Sequence, residues 1–132
     1  MSKDQGKTWQ NSSLVPGSVN GNEGQLAELG DNRILFDFRQ EKTEARGVSF
    51  SEDGGFTWAS VSYGQKVTLV PWGLKSFVWG QKTWLAWTGP KGPGRNNLVI
   101  RLSSDNGKTH SEEYLIFPGP AAYSQLEDIS GQ

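Results

Sequence analysis

The pattern of Ser51-Glu52-Asp53-Gly54-Gly55-Phe56-Thr57-Trp58 occurs three times in this chain. It appears earlier as Ser2-Lys3-Asp4-Gln5-Gly6-Lys7-Thr8-Trp9 and later as Ser103-Ser104-Asp105-Asn106-Gly107-Lys108-Thr109-His110, so the shared pattern is S-x-D-x-G-x-T-(W/H). Asp4 and Asp53 are 49 positions apart, and Asp53 and Asp105 are 52 apart. A period near 50 is that of large propeller blades. Each copy reads as a tight hairpin turn: the Asp carboxylate accepts backbone N–H bonds and the Gly adopts a conformation closed to other residues. The Thr hydroxyl adds a local bond, and the aromatic residue packs beneath the turn. Asp4, Asp53 and Asp105 are therefore structural. His110, the only histidine, takes a Trp's packing position and is expected to do that work.

Strand signals lie between the boxes. Arg33 to Arg39 puts Ile34, Phe36 and Phe38 on one face and Arg33, Asp37 and Arg39 on the other, the period of two that a strand requires. Ala45 to Ser51 leads into the second box and Asn96 to Ser103 into the third. Val61 with Val67 to Val70, then Ser76 to Trp79, Trp84 to Thr88 and Glu113 to Phe117, supply further strands. No window holds apolar residues at helical spacing. The expected organisation is the end of a blade over 1–20, a blade over 21–70 with box 51–58, a blade over 71–118 with box 103–110, and the first strand of a next blade over 119–132. The fold class is all-β, a partial propeller of about two complete four-stranded blades and parts of two more. A propeller normally closes its edges into a ring, so further blades or self-association are expected. Met1 stands directly before a box with no strand ahead of it, which suggests sequence upstream.

Composition agrees and narrows the partners. The chain has 132 residues, 13 Lys+Arg against 14 Asp+Glu, 17 Gly, 6 Trp and no Cys. Counting Gly with the apolar residues gives roughly 45%, normal for a globular domain. A net charge of -1 removes the electrostatic case for nucleic acid or an anionic membrane. The absence of cysteine excludes disulfides, thiolate metal sites and a cysteine nucleophile. No apolar run approaches the roughly 18 residues of a membrane span, and the first twenty residues are too polar for a signal peptide.

The boxes and the segments between them resemble the Asp boxes of sialidases (neuraminidases), a family of six-bladed propellers. Asn22-Glu23-Gly24-Gln25-Leu26-Ala27-Glu28-Leu29, followed by the strand ending in Arg39, is similar to the family's N-E-x-Q-x-x-E-L, strand, x-x-R arrangement. Arg95-Asn96-Asn97-Leu98-Val99-Ile100-Arg101-Leu102-Ser103, then Gly119-Pro120-Ala121-Ala122-Tyr123-Ser124, is similar to its R-x-x-L-x-x-R-x-S box followed by G-x-A-A-Y-S. The resemblance covers nearly the whole chain and corresponds to the C-terminal half of the catalytic domain.

The resemblance implies that Tyr123 is the nucleophile, Glu23 the carboxylate that activates it, and Arg39 and Arg95 two of three arginines that grip the substrate carboxylate. The chemistry explains the residue types. Sialic acid carries a carboxylate on its anomeric carbon, so an Asp or Glu nucleophile would approach an anion; sialidases use Tyr instead. A free phenol, with a pKa of about 10, is a weak nucleophile near neutrality and needs a base to take its proton. The planar fork of arginine makes two parallel charge-assisted bonds to a carboxylate. Taken singly, each residue has a plainer reading: Glu23 an exposed loop carboxylate, Arg39 and Arg95 solvated arginines, Tyr123 a hairpin aromatic. Arg46 and Arg101 compete for the arginine roles and read as strand residues. Glu28 and Asp37 match no catalytic position.

The implied activity is removal of terminal sialic acid from glycans with retention of configuration, without metal or other cofactor. The implied partners are sialylated glycoproteins, glycolipids and oligosaccharides. The family's first triad arginine and its Asp general acid belong to N-terminal blades, and neither segment occurs here. A non-catalytic segment that binds glycan or protein, an inactive fragment and a trans-sialidase stay open as alternatives. Related enzymes work in lysosomes, on cell surfaces, in cytosol and outside bacteria, which leaves the compartment open with a secreted or lysosomal setting preferred.

Overall fold

The computed structural model describes residues 1–41, 43–111 and 113–129. Eight strands form two antiparallel four-stranded sheets, each in simple sequence order. The first holds β1 (Gly24–Gly30), β2 (Arg33–Phe38), β3 (Gly47–Ser51) and β4 (Ser62–Tyr63). The second holds β5 (Gly73–Trp79), β6 (Lys82–Pro90), β7 (Asn96–Ser103) and β8 (Tyr114–Pro120). Among the described residues there is no helix.

The sheets stack through one face of each. Ala27 and Leu29 of β1, Leu35 of β2, Leu74 of β5, Leu85 and Trp87 of β6 and Val99 of β7 form the core with Val70 and Trp72 from the connection between the sheets. Antiparallel pairing brings these side chains to one face: Ala27 stands opposite Leu35, and Leu74 opposite Trp87. Apolar content alone does not mark β1, yet Ala27 and Leu29 are buried while Glu28 between them is exposed.

The other faces are covered unequally. Phe36 stacks on Phe38 at 4.7 Å between ring centroids, and Trp58 of the second box packs on Phe36 at 5.6 Å. β8 is the open edge of its sheet, with Tyr114, Leu115, Ile116 and Phe117 each 50–59% exposed.

Two expected strands turn out differently. Only Ser62–Tyr63 pairs with β3 after the second box, and Val67 to Val70 stays out of the sheet. The polar groups of that segment bond elsewhere: the Val70 carbonyl accepts from Arg46 Nη1 at 2.6 Å, and the Thr68 carbonyl accepts from the Trp72 indole at 3.2 Å. The strand expected over 119–132 does not form among the described residues. Gly119 and Pro120 close β8 instead, and 121–129 cross the far face of the second sheet without a hairpin partner to extend a ladder. Positions 130–132 lie outside the described residues.

The boxes form as turns. In each, the Asp accepts from the Ser hydroxyl two residues before it and from both the amide and hydroxyl of the Thr four residues after it. Gly6, Gly55 and Gly107 adopt φ of 85°, 91° and 84°, and each N–H donates to the box Ser. These bonds hold Asp4 down to about 2, with the Thr8 hydroxyl the largest influence. The equivalent Thr hydroxyls hold Asp53 and Asp105 further below the carboxylate range. The aromatic position packs in two copies, Trp58 on Phe36 and His110 edge-on to Trp87 at 4.7 Å. Trp9 departs from the expectation: it is 73% exposed, and its indole N–H donates to Gly6 of its own turn. The first box precedes β1, so among the described residues no strand leads into it.

Candidate functional site

The β1–β2 ladder continues past the strand ends. Asn22 N–H donates to the Arg39 carbonyl at 3.0 Å, and Arg39 N–H donates to the Glu23 carbonyl at 2.9 Å. Glu23 and Arg39 are therefore cross-strand neighbours, and their side chains meet with Arg39 Nη1 3.2 Å from Glu23 Oε2. Both side chains are more than a third exposed. An exposed pair of this kind contributes only about 0.2–1 kcal/mol, so its importance is orientation. Gly24 makes this close approach possible: a Cβ there would stand 2.5 Å from Phe36 Cε2 and 2.7 Å from Phe38 Cβ.

Arg95 sits at the entrance to β7, in a loop held at several points. Lys91 N–H donates to the Asn97 carbonyl at 3.0 Å, Asn97 Nδ2 donates to the Gly92 carbonyl at 2.9 Å, and the Thr68 hydroxyl donates to the Gly94 carbonyl at 2.5 Å. The Arg95 carbonyl accepts from Ala121 N–H at 2.9 Å, which brings the segment after β8 across the loop. Tyr123 then projects over the end of the first sheet. Its hydroxyl donates to Glu23 Oε1 at 3.0 Å, and the Arg95 guanidinium lies 5.7 Å from its ring centroid, within cation–π range.

All four anticipated residues thus form one contact series, Arg39 to Glu23 to Tyr123 to Arg95. Two come from the first sheet and two from the second. Glu23 has one oxygen on a guanidinium and the other on a phenol, the arrangement a carboxylate needs to receive the phenol's proton.

The boxes stand apart from this cluster. β3 begins beside Phe38 and ends at Ser51, opposite Ile34, while β7 begins beside Arg95 and ends at Ser103. Asp53 and Asp105 therefore lie at the opposite ends of the sheets from Tyr123. Asp4 joins them there, since Lys3 of the first box lies over the Phe56 ring of the second at 4.4 Å. A cleft at that same end is lined by Leu26, Glu28, Asn32, Ile34 and Gly54, and it places no nucleophile beside Glu28.

Arg46 and Arg101 are engaged in packing. Arg46 precedes β3, is fully buried, donates through Nε to Asp37 and through Nη1 to the Val70 carbonyl. Asp37 also accepts from the Trp87 indole at 3.1 Å. Burial pushes the Asp37 carboxyl up, against the opposing influence of Arg46 and Trp87. Strand alternation does not reveal this pair, because it puts Asp37 on a polar face that the second sheet in fact covers. Arg101 donates to Glu113 Oε2 at 2.8 Å and to the side chain of Gln65. Burial, followed by the Arg101 charge, pushes His110 below its usual value.

Residues 1–130 match the BNR repeat-like domain. The chain belongs to that family. Among curated proteins this BNR repeat-like chain is 30% identical over 122 residues to a sialidase of Bacteroides fragilis, covering 86% of the chain and 22% of the relative. It is 27% identical over 136 residues to a sialidase of Micromonospora viridifaciens, covering 95% of the chain and 21% of that relative. The BNR repeat-like chain also superposes on the NanB sialidase from Streptococcus pneumoniae in complex with 2-[(3-chlorobenzyl)ammonio]ethanesulfonate. The TM-score is 0.74 at 25% identity, covering 98% of this chain and 22% of that one. It is a sialidase-family sequence folded as part of a β-propeller, and it spans about a fifth of the length of the curated relatives it matches.

Proposed function

We propose that this chain forms part of an exo-acting sialidase that releases terminal sialic acid from glycans with retention of configuration. The observation that carries the reading is the Tyr123–Glu23 hydrogen bond at 3.0 Å, flanked on one side by Arg39 and on the other by Arg95.

In the proposed reaction the substrate carboxylate binds between the arginines, displacing the Arg39–Glu23 pairing in part and setting the anomeric carbon over the Tyr123 oxygen. The phenol oxygen forms a bond to that carbon as its proton passes to Glu23. The glycosidic bond breaks, and its oxygen takes a proton from a general acid that the resemblance assigns to blades outside this chain. Water then attacks the anomeric carbon, giving one proton to the conjugate base of that general acid as the tyrosyl–sugar bond breaks, and Glu23 returns its proton to the phenolate. Two inversions give net retention. Holding the reacting groups in one geometry removes much of the entropic barrier of bringing them together.

The test is Tyr123→Phe in the complete enzyme, assayed with a fluorogenic sialoside. Loss of nearly all turnover with the fold intact is expected. Unchanged turnover would overturn the assignment of Tyr123.

A further inference from the structure

Tyr123 belongs to a segment with no strand of its own, yet its phenol must reach a carboxylate 100 positions away in sequence. Two attachments hold it. On one side Ala121 N–H is bonded to the Arg95 carbonyl. On the other, the Ser124 hydroxyl donates to the Thr88 carbonyl at 2.5 Å and accepts from Gly73 N–H at 3.3 Å. Gly73 and Thr88 are cross-strand partners where β5 and β6 meet the site. One hydroxyl thus bridges both strands of that pair.

A second observation points to the same seat. A Cβ on Gly73 would stand 2.9 Å from Gln125 Cα and 3.0 Å from Gln125 C, both backbone atoms that cannot swing away, and 2.8 Å from Thr88 Cγ2. The 124–125 backbone rests where any side chain on residue 73 would be. Lys75 Nζ, two residues further along β5, pairs with Glu127 at 3.2 Å and continues the same line of contact. Thr88 is itself buried, with its hydroxyl donated to the Val99 carbonyl of β7, so the segment is fastened to a rigid part of the sheet.

We propose that Ser124 is a positioning residue: with Gly73 as its cradle, it locks the 121–129 segment onto β5 and β6 and thereby sets the Tyr123 hydroxyl on Glu23. This rests on the reading of Tyr123 and Glu23 as the reacting pair. A side-chain hydroxyl is required because the bridge needs a donor toward Thr88 and an acceptor toward Gly73 on the same atom, which Ala and Val lack. Removing such bonds shifts the seated population by roughly tenfold.

The experiment uses this chain with carbon-13 label at the tyrosine ring carbon bearing oxygen, titrated by NMR through the carboxylate range. Tyr123→Phe assigns the signal among the three tyrosines, and Glu23→Gln identifies the part of its pH response that comes from Glu23. In the unsubstituted chain the Tyr123 signal is expected to follow Glu23. Ser124→Ala and Gly73→Ala should each abolish most of that response while amide signals from β1, β2 and β6 keep their positions, and Ser124→Thr should preserve it. A response unchanged in Ser124→Ala, or lost equally in Ser124→Thr, would overturn the positioning role and leave the reacting pair standing. No response to Glu23 in the unsubstituted chain would overturn the pair and the positioning role together.

Discussion

The Tyr123 hydroxyl donates to Glu23 Oε1 at 3.0 Å, joining the last described segment of the chain to the residue just before β1. Glu23→Gln keeps the shape but removes the proton acceptor. In the complete enzyme its turnover should fall by roughly 10²- to 10⁴-fold, the range for losing a positioned acid–base group. Steady-state kinetics check this, with KM changing far less than kcat.

Arg39 and Arg95 should affect recognition more than chemistry. Lysine keeps the charge but cannot form two parallel bonds with a carboxylate. Loss of one charge-assisted bond of about 1.5–3 kcal/mol predicts that Arg39→Lys and Arg95→Lys each raise KM by about 10- to 100-fold. A neutral glycoside without the carboxylate should show no such change, and comparing the two substrates is the measurement.

The buried Asp37–Arg46 pair predicts a stability effect instead. Arg46→Leu leaves a buried carboxylate bonded to Trp87 alone, and breaking a buried pair from one side costs about 3–5 kcal/mol. Urea denaturation followed by tryptophan fluorescence should show the loss. Replacing both residues with apolar ones of matching size should recover much of it, because the stranded charge is then gone.

The box carboxylates contribute to the acid limb of stability, beside Glu113, which the Arg101 hydrogen bond also holds below its usual value. The folded pKa values of the box carboxylates are depressed, to about 2 for Asp4 and further for Asp53 and Asp105. Their stabilisation is therefore complete above the ordinary value of 3.8 and is lost as pH falls toward about 2 and below. Asp53→Asn should flatten the fall of the melting temperature between pH 4 and 2, as read by thermal scans at fixed ionic strength. Asp37, pushed in the other direction by burial, does not contribute to this limb.

Much of the architecture was legible because the box Ser is also the last residue of a strand. Ser51 ends β3 and Ser103 ends β7, so finding the repeat located two strands at once. The four site residues were legible only as a joint pattern, since nothing about Glu23 or Arg95 alone distinguishes them from surface residues. Alternation puts Asp37 on the polar face of its strand with Arg33 and Arg39, but it gives the faces of a strand and not which of them is covered; here both are, one by the second sheet and one by Trp58. Val67 to Val70 carries strong strand propensity, yet its carbonyls are claimed by Arg46 and Trp72, and tertiary bonding overrode preference. Ser124 fills the last position of the G-x-A-A-Y-S match, but its role gives no sequence signal, because its partners are backbone groups 51 and 36 residues away.

Glu23 and Arg39 ride on one sheet, Arg95 and Tyr123 on the other, and the interior that includes Leu35, Leu85, Trp72 and Trp87, together with the Trp87–Asp37 bond, sets the spacing between those two carriers. The interior therefore acts as a gauge block for the chemistry. A methyl group lost at Leu85, remote from any sugar, changes the thickness of that block, and the phenol and carboxylate register the difference as a change in their separation. Substitutions that conserve interior volume leave the setting alone, so the tolerance of the core is set by hydrogen-bond length at its rim.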